Sequence, residues 1–168
     1  VFNGCTSIKF PSNPSLPTSV IRLGNSVFSG CSSLNTVYLP SSLLSVGENL
    51  FSGCVSLTSV SIPNSIISIE KNAFTGCSSI QSISIPASVT EIGNETFKGC
   101  SQLRQMTIPS SVKNIGHSVF QDCPLLSQIT IQGSLNTIKN NFCYGCSTLG
   151  AFSIPWPART LGENSFYG

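Results

Sequence analysis

The sequence contains very little charge. Only 8% of its 168 residues are Asp, Glu, Lys or Arg, whereas an average soluble chain has roughly 25%. The net charge is +2 and the basic residues form no cluster, so the chain lacks the basic patch that nucleic-acid binding requires. A surface with so few charges must consist mainly of neutral Ser, Thr, Asn and Gln side chains.

Long apolar runs are lacking as well. No run approaches the ~18 residues of a membrane-spanning helix, and no signal peptide is visible. We therefore expect no direct membrane span in this segment. Hydrophobic residues nevertheless make up 40% of the chain, which excludes a disordered polar chain.

The sequence consists instead of a repeat with a period of 23 residues. The stretch FSGCSSL at Phe28 returns as FSGCVSL at Phe51, FTGCSSI at Phe74 and FKGCSQL at Phe97. A rung of this length cannot bury its apolar face alone, so the repeat predicts a solenoid in which neighbouring rungs stack. Seven of the eight cysteines share one column of the repeat: Cys5, Cys31, Cys54, Cys77, Cys100, Cys123 and Cys146.

Aliphatic residues fill further columns. Counted from the cysteine as zero, they stand at positions 3, 6, 8, 12 and 15. The alternation at positions 6 and 8 predicts a strand on each rung, which ends at the following proline because proline donates no ladder hydrogen bond. Strands in the same register on successive rungs should pair in parallel. We also expect a second short extended piece around position 15.

The recurring FxGC corner is explained by packing. Phe fills the wide side of each rung, Gly adopts a positive φ that turns the chain inward, and Cys is a small buried hydrophobe. Asp122 replaces Gly in one rung, and Asp tolerates that backbone region. We expect reduced, buried thiols. Disulfides from rung to rung are the alternative, because a stacking distance of about 4.8 Å lies within the Cα–Cα range of a disulfide.

Two rungs depart from the pattern. The first has three extra residues before Pro17, which we expect to form a loop that interrupts its strand. Further on, Phe142 stands one place early and Cys143 occupies the Phe column. The chain also begins and stops inside a repeat, in the FxGC stretches at residues 1–5 and 166–168. We therefore expect residues 1–168 to form a single array of about seven rungs, an internal segment of a longer chain.

Written as CxxLxxIxIPxxVxxIGxxxFxGC, the sequence resembles the BspA-like, or treponemal-type, leucine-rich repeats over nearly all of its length. The resemblance implies a right-handed leucine-rich-repeat solenoid, mostly strand and loop, with a parallel β-sheet along one face. Members are often surface or secreted proteins of anaerobic bacteria and parasitic protists that are implicated in adhesion. The family has no catalytic residues to carry over, and we expect no enzyme and no cofactor.

Outward strand positions are free to bind a partner, because the inward columns are committed to the core. Tyr38 and Trp156 are exposed aromatic residues by pattern and could anchor an interface, although Trp156 could instead cover a rung edge. The predicted partner-binding residues on the strands are Thr36, Tyr38, Ser59, Ser61, Ser82, Ser84, Arg104, Gln105, Thr107, Gln128 and Thr130.

Cys143 and Cys146 form a CxxC motif. A redox or metal site would need an activated thiolate or a second pair of ligands, and neither is evident. We interpret the motif as packing, with a local disulfide or a metal site as alternatives.

Two other candidates have structural explanations. His117 and Asp122, the only His and the only Asp, could form a triad with a serine, but His117 occupies a variable outward position and Asp122 replaces a turn glycine. Asn94 begins the only N-x-[ST] sequon without a central proline, and it is glycosylated only if the chain enters a secretory pathway.

The leading hypothesis is a non-enzymatic protein-binding or adhesion module at the cell surface or outside the cell. The alternative is a structural scaffold subunit of a larger intracellular or extracellular assembly, with self-association or contacts to neighbouring repeats. Ice binding is disfavoured because the outward columns mix Ser, Thr, Gln and Tyr.

Overall fold

The structure of the protein is a computed structural model that describes residues 16–150, 152 and 158–168. The predicted loop before Pro17 and the aromatic residue Trp156 fall outside the described residues. Within those ranges no helix is long and apolar enough to cross a membrane.

The described part of the chain is built from ten short strands. Four of them, β1, β3, β6 and β8, follow the cysteine corner and are called the first ribbon, and the other six are called the second ribbon. In chain order the strands are β1 (Thr36–Tyr38), β2 (Ser45–Val46), β3 (Ser59–Ser61), β4 (Ser68–Ile69), β5 (Glu91–Ile92), β6 (Gln105–Ile108), β7 (Asn114–Ile115), β8 (Gln128–Ile131), β9 (Thr137–Ile138) and β10 (Thr160–Leu161).

All paired strands are parallel and their partners are one repeat apart. Val37 pairs with Val60 in the first ribbon, and Ile69 pairs with Ile92 in the second. These pairings confirm the predicted solenoid of 23-residue rungs, which completes five turns between Cys31 and Cys146.

The second ribbon is more continuous than the first. It contains the four-stranded sheet β2-β4-β5-β7 and the pair β9–β10, whereas the first ribbon is split into the pairs β1–β3 and β6–β8. The expected parallel sheet along one face and the expected second extended piece are therefore both present, as the first and the second ribbon.

A ladder of phenylalanines forms the centre of the core. Phe28, Phe51, Phe74, Phe97 and Phe120 are fully buried and stack face to face, with successive ring centroids 5.4–5.7 Å apart. The displaced Phe142 packs edge-on against Phe120, with their ring centroids 5.3 Å apart. Cys143, which takes the repeat position of the phenylalanine, is also buried. The irregular rung is thus accommodated by one ring rotation.

The corner backbone follows the predicted geometry. Gly53 has φ 73° and Asp122, its replacement in another rung, has φ 58°. A second positive-φ column was not predicted. It is occupied by Asn49, Asn72 and Asn141 at φ 54–57°, and asparagine is among the few residues that visit this region readily.

Candidate binding surface

The outward side chains of the first ribbon form rows of small neutral groups. In β6 the residues alternate between exposed and buried, because successive strand side chains point to opposite faces. Gln105 lies beside Gln128, and Thr107 beside Thr130. The predicted residues described as exposed, or half-buried in the case of Thr36, are Thr36, Tyr38, Ser59, Ser61, Ser82, Ser84, Arg104, Gln105, Thr107, Gln128 and Thr130. We call this set the outward face.

Segment 82–85 interrupts the outward face. Ser82 and Ser84 are exposed as predicted, but they belong to no strand, and the sheets β1–β3 and β6–β8 end on either side of them. Ile83, expected in the inward column, is only half-buried. The same-column residues Val37 and Met106 are 1% and 2% exposed, whereas Val60, which is paired in β3, is half-buried like Ile83.

A cleft of about 490 Å³ lies at this interruption. Its walls carry hydroxyl and amide side chains, and its apolar surface comes from aliphatic residues and a proline. Charged side chains do not contribute to it. The lining residues are Ser82, Ile83, Ser84, Ile85, Ala87, Gln105, Thr107, Pro109 and Gln132.

Two larger side chains stand out on the outward face. Tyr38 is 44% exposed, which leaves its ring available for contact. Arg104 is exposed, and its backbone N–H donates to the carbonyl of Gln81 at 3.1 Å. The ion pairs among the described residues, Lys71–Glu48 and Lys98–Glu95, do not engage the Arg104 guanidinium.

The cysteine column also forms a hydrogen-bonded ladder. The Cys54 thiol donates to the Phe28 carbonyl at 2.9 Å, and the Cys77 thiol donates to the Phe51 carbonyl at 3.1 Å. The Phe51 carbonyl also accepts the backbone N–H of Cys54 at 3.0 Å. Cys100, Cys123 and Cys146 repeat the thiol contact with Phe74, Phe97 and Phe120. The corner therefore needs a buried donor as well as a small apolar group.

These thiols are chemically quiet. Burial raises the pKa of Cys54 to about 12, and it raises the pKa of Cys77, Cys100 and Cys123 further above the ordinary value of 9.0. The free thiols include Cys54, Cys77, Cys100, Cys123, Cys143 and Cys146, which supports buried reduced cysteines over rung-to-rung disulfides at these positions.

The sequence matches the BspA type leucine-rich repeat region in six copies, over residues 1–123 and 68–168. The chain belongs to the BspA-type leucine-rich repeat family. No curated protein matches the sequence significantly.

Solved structures with the same architecture include three other leucine-rich repeat proteins. The leucine-rich repeat protein of T. pallidum is 29% identical with a TM-score of 0.82, and the match covers 88% of this chain and 72% of that one. A leucine-rich repeat protein from Bacteroides ovatus is 28% identical with a TM-score of 0.84, over 92% of this chain and 42% of that one. A leucine-rich cell surface protein from Faecalibacterium prausnitzii shares the fold at 24% identity and a TM-score of 0.57, over 99% of this chain and 59% of that one.

The CxxC motif of this family member contains two thiols that are hydrogen-bonded to each other. A hydrogen bond between the two raises the pKa of Cys143, with burial adding to the effect, and lowers the pKa of Cys146. Both side chains are at most 5% exposed. The described residues contain no group of three or more His, Cys, Asp or Glu that could hold a metal ion.

The remaining candidates have structural contacts. The His117 backbone N–H donates to the Asn94 side-chain oxygen at 2.9 Å, and Asp122 occupies the turn. Asn94 is exposed, whereas Thr96 of its sequon is fully buried and donates to the Gly93 carbonyl at 2.8 Å. Glycosylation at Asn94 stays a prediction.

Proposed function

We propose that this chain is a non-enzymatic, adhesion-type module that binds a protein partner with the outward face of the first ribbon. The observation that carries the proposal is the regular array of exposed neutral side chains on a rigid support. Gln105 and Gln128, for example, are held side by side by backbone pairing, and the inward residues of the same strands pack in the core. Extended surfaces of this kind are how stacked repeats bind their partners.

Binding on this face requires several rungs at once. Its side chains are small and mostly uncharged, and one neutral hydrogen bond contributes about 0.5–1.5 kcal/mol. A useful affinity therefore needs contacts on three or more rungs, with Tyr38 and Arg104 as the larger individual contributions.

A location at the cell surface or outside the cell is part of this proposal. The description of the Faecalibacterium prausnitzii relative as a cell surface protein supports it. The low charge of the outward face is compatible with binding that changes little with salt, because charged contacts are the ones that salt screens.

A structural scaffold subunit is the second candidate, and one observation favours it. Ile21, Leu44 and Ile67 occupy the same column of successive rungs and are 76%, 62% and 50% exposed. Leu44 and Ile67 are directly stacked, since the Ile67 backbone N–H donates to the Leu44 carbonyl at 2.8 Å. A row of exposed aliphatic side chains of this kind suits burial against a neighbouring subunit.

The proposal can be tested with an array of purified extracellular proteins. Proteins that bind the fluorescently labelled chain are retested with the triple variant Thr36→Lys, Ser59→Lys and Gln128→Lys. Binding should weaken at least about tenfold, because lysines on three rungs block contacts that each contribute about 1 kcal/mol.

The matched control carries Ser68→Lys, Asn114→Lys and Thr137→Lys on outward positions of the second ribbon. It makes the same change in charge, with the same mixture of one half-buried and two exposed positions. If this control abolishes binding while the first-ribbon triple leaves it intact, the binding face is wrong. Circular dichroism establishes that both variants keep the fold.

A further inference from the structure

Segment 82–85 differs from the equivalent segments of other rungs in its backbone hydrogen bonding. Elsewhere in the first ribbon the rungs are joined laterally, as by Leu39 N–H to the Ser61 carbonyl at 3.1 Å and Gln132 N–H to the Ile108 carbonyl at 2.9 Å. The backbone of segment 82–85, which lies wholly within the described residues, forms no such bond to β3 or β6.

Lateral bonding resumes on both sides of the segment. Arg104 N–H donates to the Gln81 carbonyl at 3.1 Å, and Thr90 N–H donates to the Ile67 carbonyl at 2.8 Å. The rung therefore remains stacked in the solenoid, and the opening extends from the Gln81 backbone N–H, which forms no bond to the Thr58 carbonyl, through segment 82–85. The backbone donors and acceptors of this stretch are left to water or to a ligand, because peptide groups are obligatory hydrogen-bonding groups.

The opening coincides with the 490 Å³ cleft, a volume within the range of about 300–1,000 Å³ typical of ligand sites. Its chemistry is divided into two parts. Ser82, Ser84 and Thr107 provide hydroxyls and Gln105 provides an amide, while Ile83 and Ile85 provide aliphatic surface. The absence of charged groups from the lining excludes charge pairing as the source of affinity.

We propose that this cleft binds an extended, uncharged peptide segment of the partner protein. The peptide backbone hydrogen-bonds to the open groups of segment 82–85 and to the rim amide and hydroxyls, and apolar side chains contact the half-buried Ile83 and the exposed Ala87. Peptides bind in this way to exposed strand groups in other proteins. Four residues of extended chain span about 13 Å, so the segment suits a peptide of about four to six residues.

The inference rests on the proposed protein-binding function and adds its specificity site. A peptide fits better than a polyol because the unpaired backbone of segment 82–85 offers a series of amide donors and acceptors that a second peptide backbone can match. A bound peptide also fixes the position of the partner protein along the outward face. Shallow contacts with small side chains do not fix that position.

The probe is a random heptapeptide library displayed on phage and selected on the purified chain. We expect the selected sequences to lack charges and to be rich in β-branched residues. Their synthetic, fluorescently labelled forms are then titrated by fluorescence polarisation. Methylation of backbone nitrogens at every second residue should weaken binding at least about tenfold in one register and little in the other, because only one set of N–H groups faces the segment.

The double variant Ser82→Lys and Ser84→Lys places two charges on the rim and should also weaken binding at least about tenfold. The control is Asn114→Lys and Thr137→Lys, which adds the same two charges on the second ribbon, outside both the outward face and the cleft. Its binding should change less than about twofold. All four of these positions are exposed, so neither variant should disturb the core.

Several results would overturn the inference. The first is that the phage selection yields no binding peptides. The second is that peptide binding is insensitive to Ser82→Lys and Ser84→Lys or to backbone methylation. The third is that neutral glycans on an array bind and peptides do not. The proposed function is tested separately by the triple variant at Thr36, Ser59 and Gln128, because none of those residues lines the cleft.

Discussion

Truncation of one central ring, Phe74→Ala, tests whether the solenoid is held together by its phenylalanine ladder. Phe74 is fully buried and stacks on Phe51 at 5.4 Å and on Phe97 at 5.5 Å. Its carbonyl accepts the Cys77 backbone N–H at 3.1 Å and the Cys100 thiol at 3.3 Å. The substitution therefore opens a cavity beside two neighbouring rungs while leaving the backbone hydrogen bonds in place.

The expected loss is a large part of the total stability. A buried Phe→Ala change costs about 3–5 kcal/mol, and each stacked pair contributes about 0.5–1.5 kcal/mol beyond its buried area. Since two pairs are lost, we expect a decrease of about 4–5 kcal/mol in the free energy of unfolding. Native domains have only about 5–15 kcal/mol in all. Coupling between neighbours should carry the damage to adjacent rungs.

Urea unfolding followed by circular dichroism measures this change. Phe74→Leu is the graded control, because it keeps an apolar side chain and loses only the stacking and part of the volume, and should cost about 1–2 kcal/mol. Tyr38→Ala removes an exposed ring and should change stability by less than about 0.5 kcal/mol. A cost below about 1 kcal/mol for Phe74→Ala would refute the ladder as the main support of the core.

Three further predictions concern the corners and thiols. Gly93→Ala should destabilise the fold by at least about 1 kcal/mol in urea unfolding, because its Cβ would lie 2.4 Å from the Lys71 backbone nitrogen, whereas Gly47→Ala, in the same column, meets nothing closer than 3.7 Å and should be tolerated. Stability should fall as the pH rises from about 9 towards about 12, because the unfolded Cys54 thiol ionises near 9.0 and the folded one only near 12; thermal unfolding of Cys54→Ala should show a shallower decline, and an unchanged profile would contradict the raised pKa. Iodoacetamide at pH 8 should label Cys146 before Cys54 in mass spectrometry, because the hydrogen bond with Cys143 lowers the pKa of Cys146; Cys143→Ala should slow this reaction, and equal rates in the native protein would count against the pairing.

The rung itself was predictable because its determinants are local and repeated. The alternation in Gln105–Ile108 and the apolar columns fixed which side chains point inward. The turn at Asp122 followed from the steric tolerance of one residue type. The second column with positive φ was not predicted, because Ser26, Glu95 and Ser118 occupy it together with the asparagines. Such a mixture of residues resembles ordinary surface variation.

The interruption of the outward face was not predictable from periodicity. Segment 82–85 reads Ser-Ile-Ser-Ile, and residues 59–62, which include strand β3, read Ser-Val-Ser-Ile. Both patterns fit a strand equally well. Lateral pairing depends on how the backbones of consecutive rungs are aligned, and that alignment is set by packing throughout two neighbouring turns. A pattern within one rung therefore says nothing about it.

The thiol ladder was missed for a different reason. A buried Cys satisfies packing with or without a hydrogen bond, and the acceptor of the Cys54 thiol lies 26 residues away, at Phe28. One signal was present in the sequence: the column holds Cys in every rung, although Ala would fill much of the same space. A position that needs a donor as well as a small volume explains that choice, because Ala has no donor.

The division of tasks within a rung limits where function can lie. Inward columns supply the core, and the corner Gly, Phe and Cys supply turns and buried hydrogen bonds. A change at these positions lowers stability whatever partner is bound, so it cannot tune recognition independently. Outward positions of the first ribbon are free of that constraint, but each contributes little binding energy. The cleft at segment 82–85 adds aliphatic surface and unpaired backbone groups at one place along this otherwise uniform face. We therefore propose that recognition by the chain divides into affinity spread over many rungs and specificity concentrated at one.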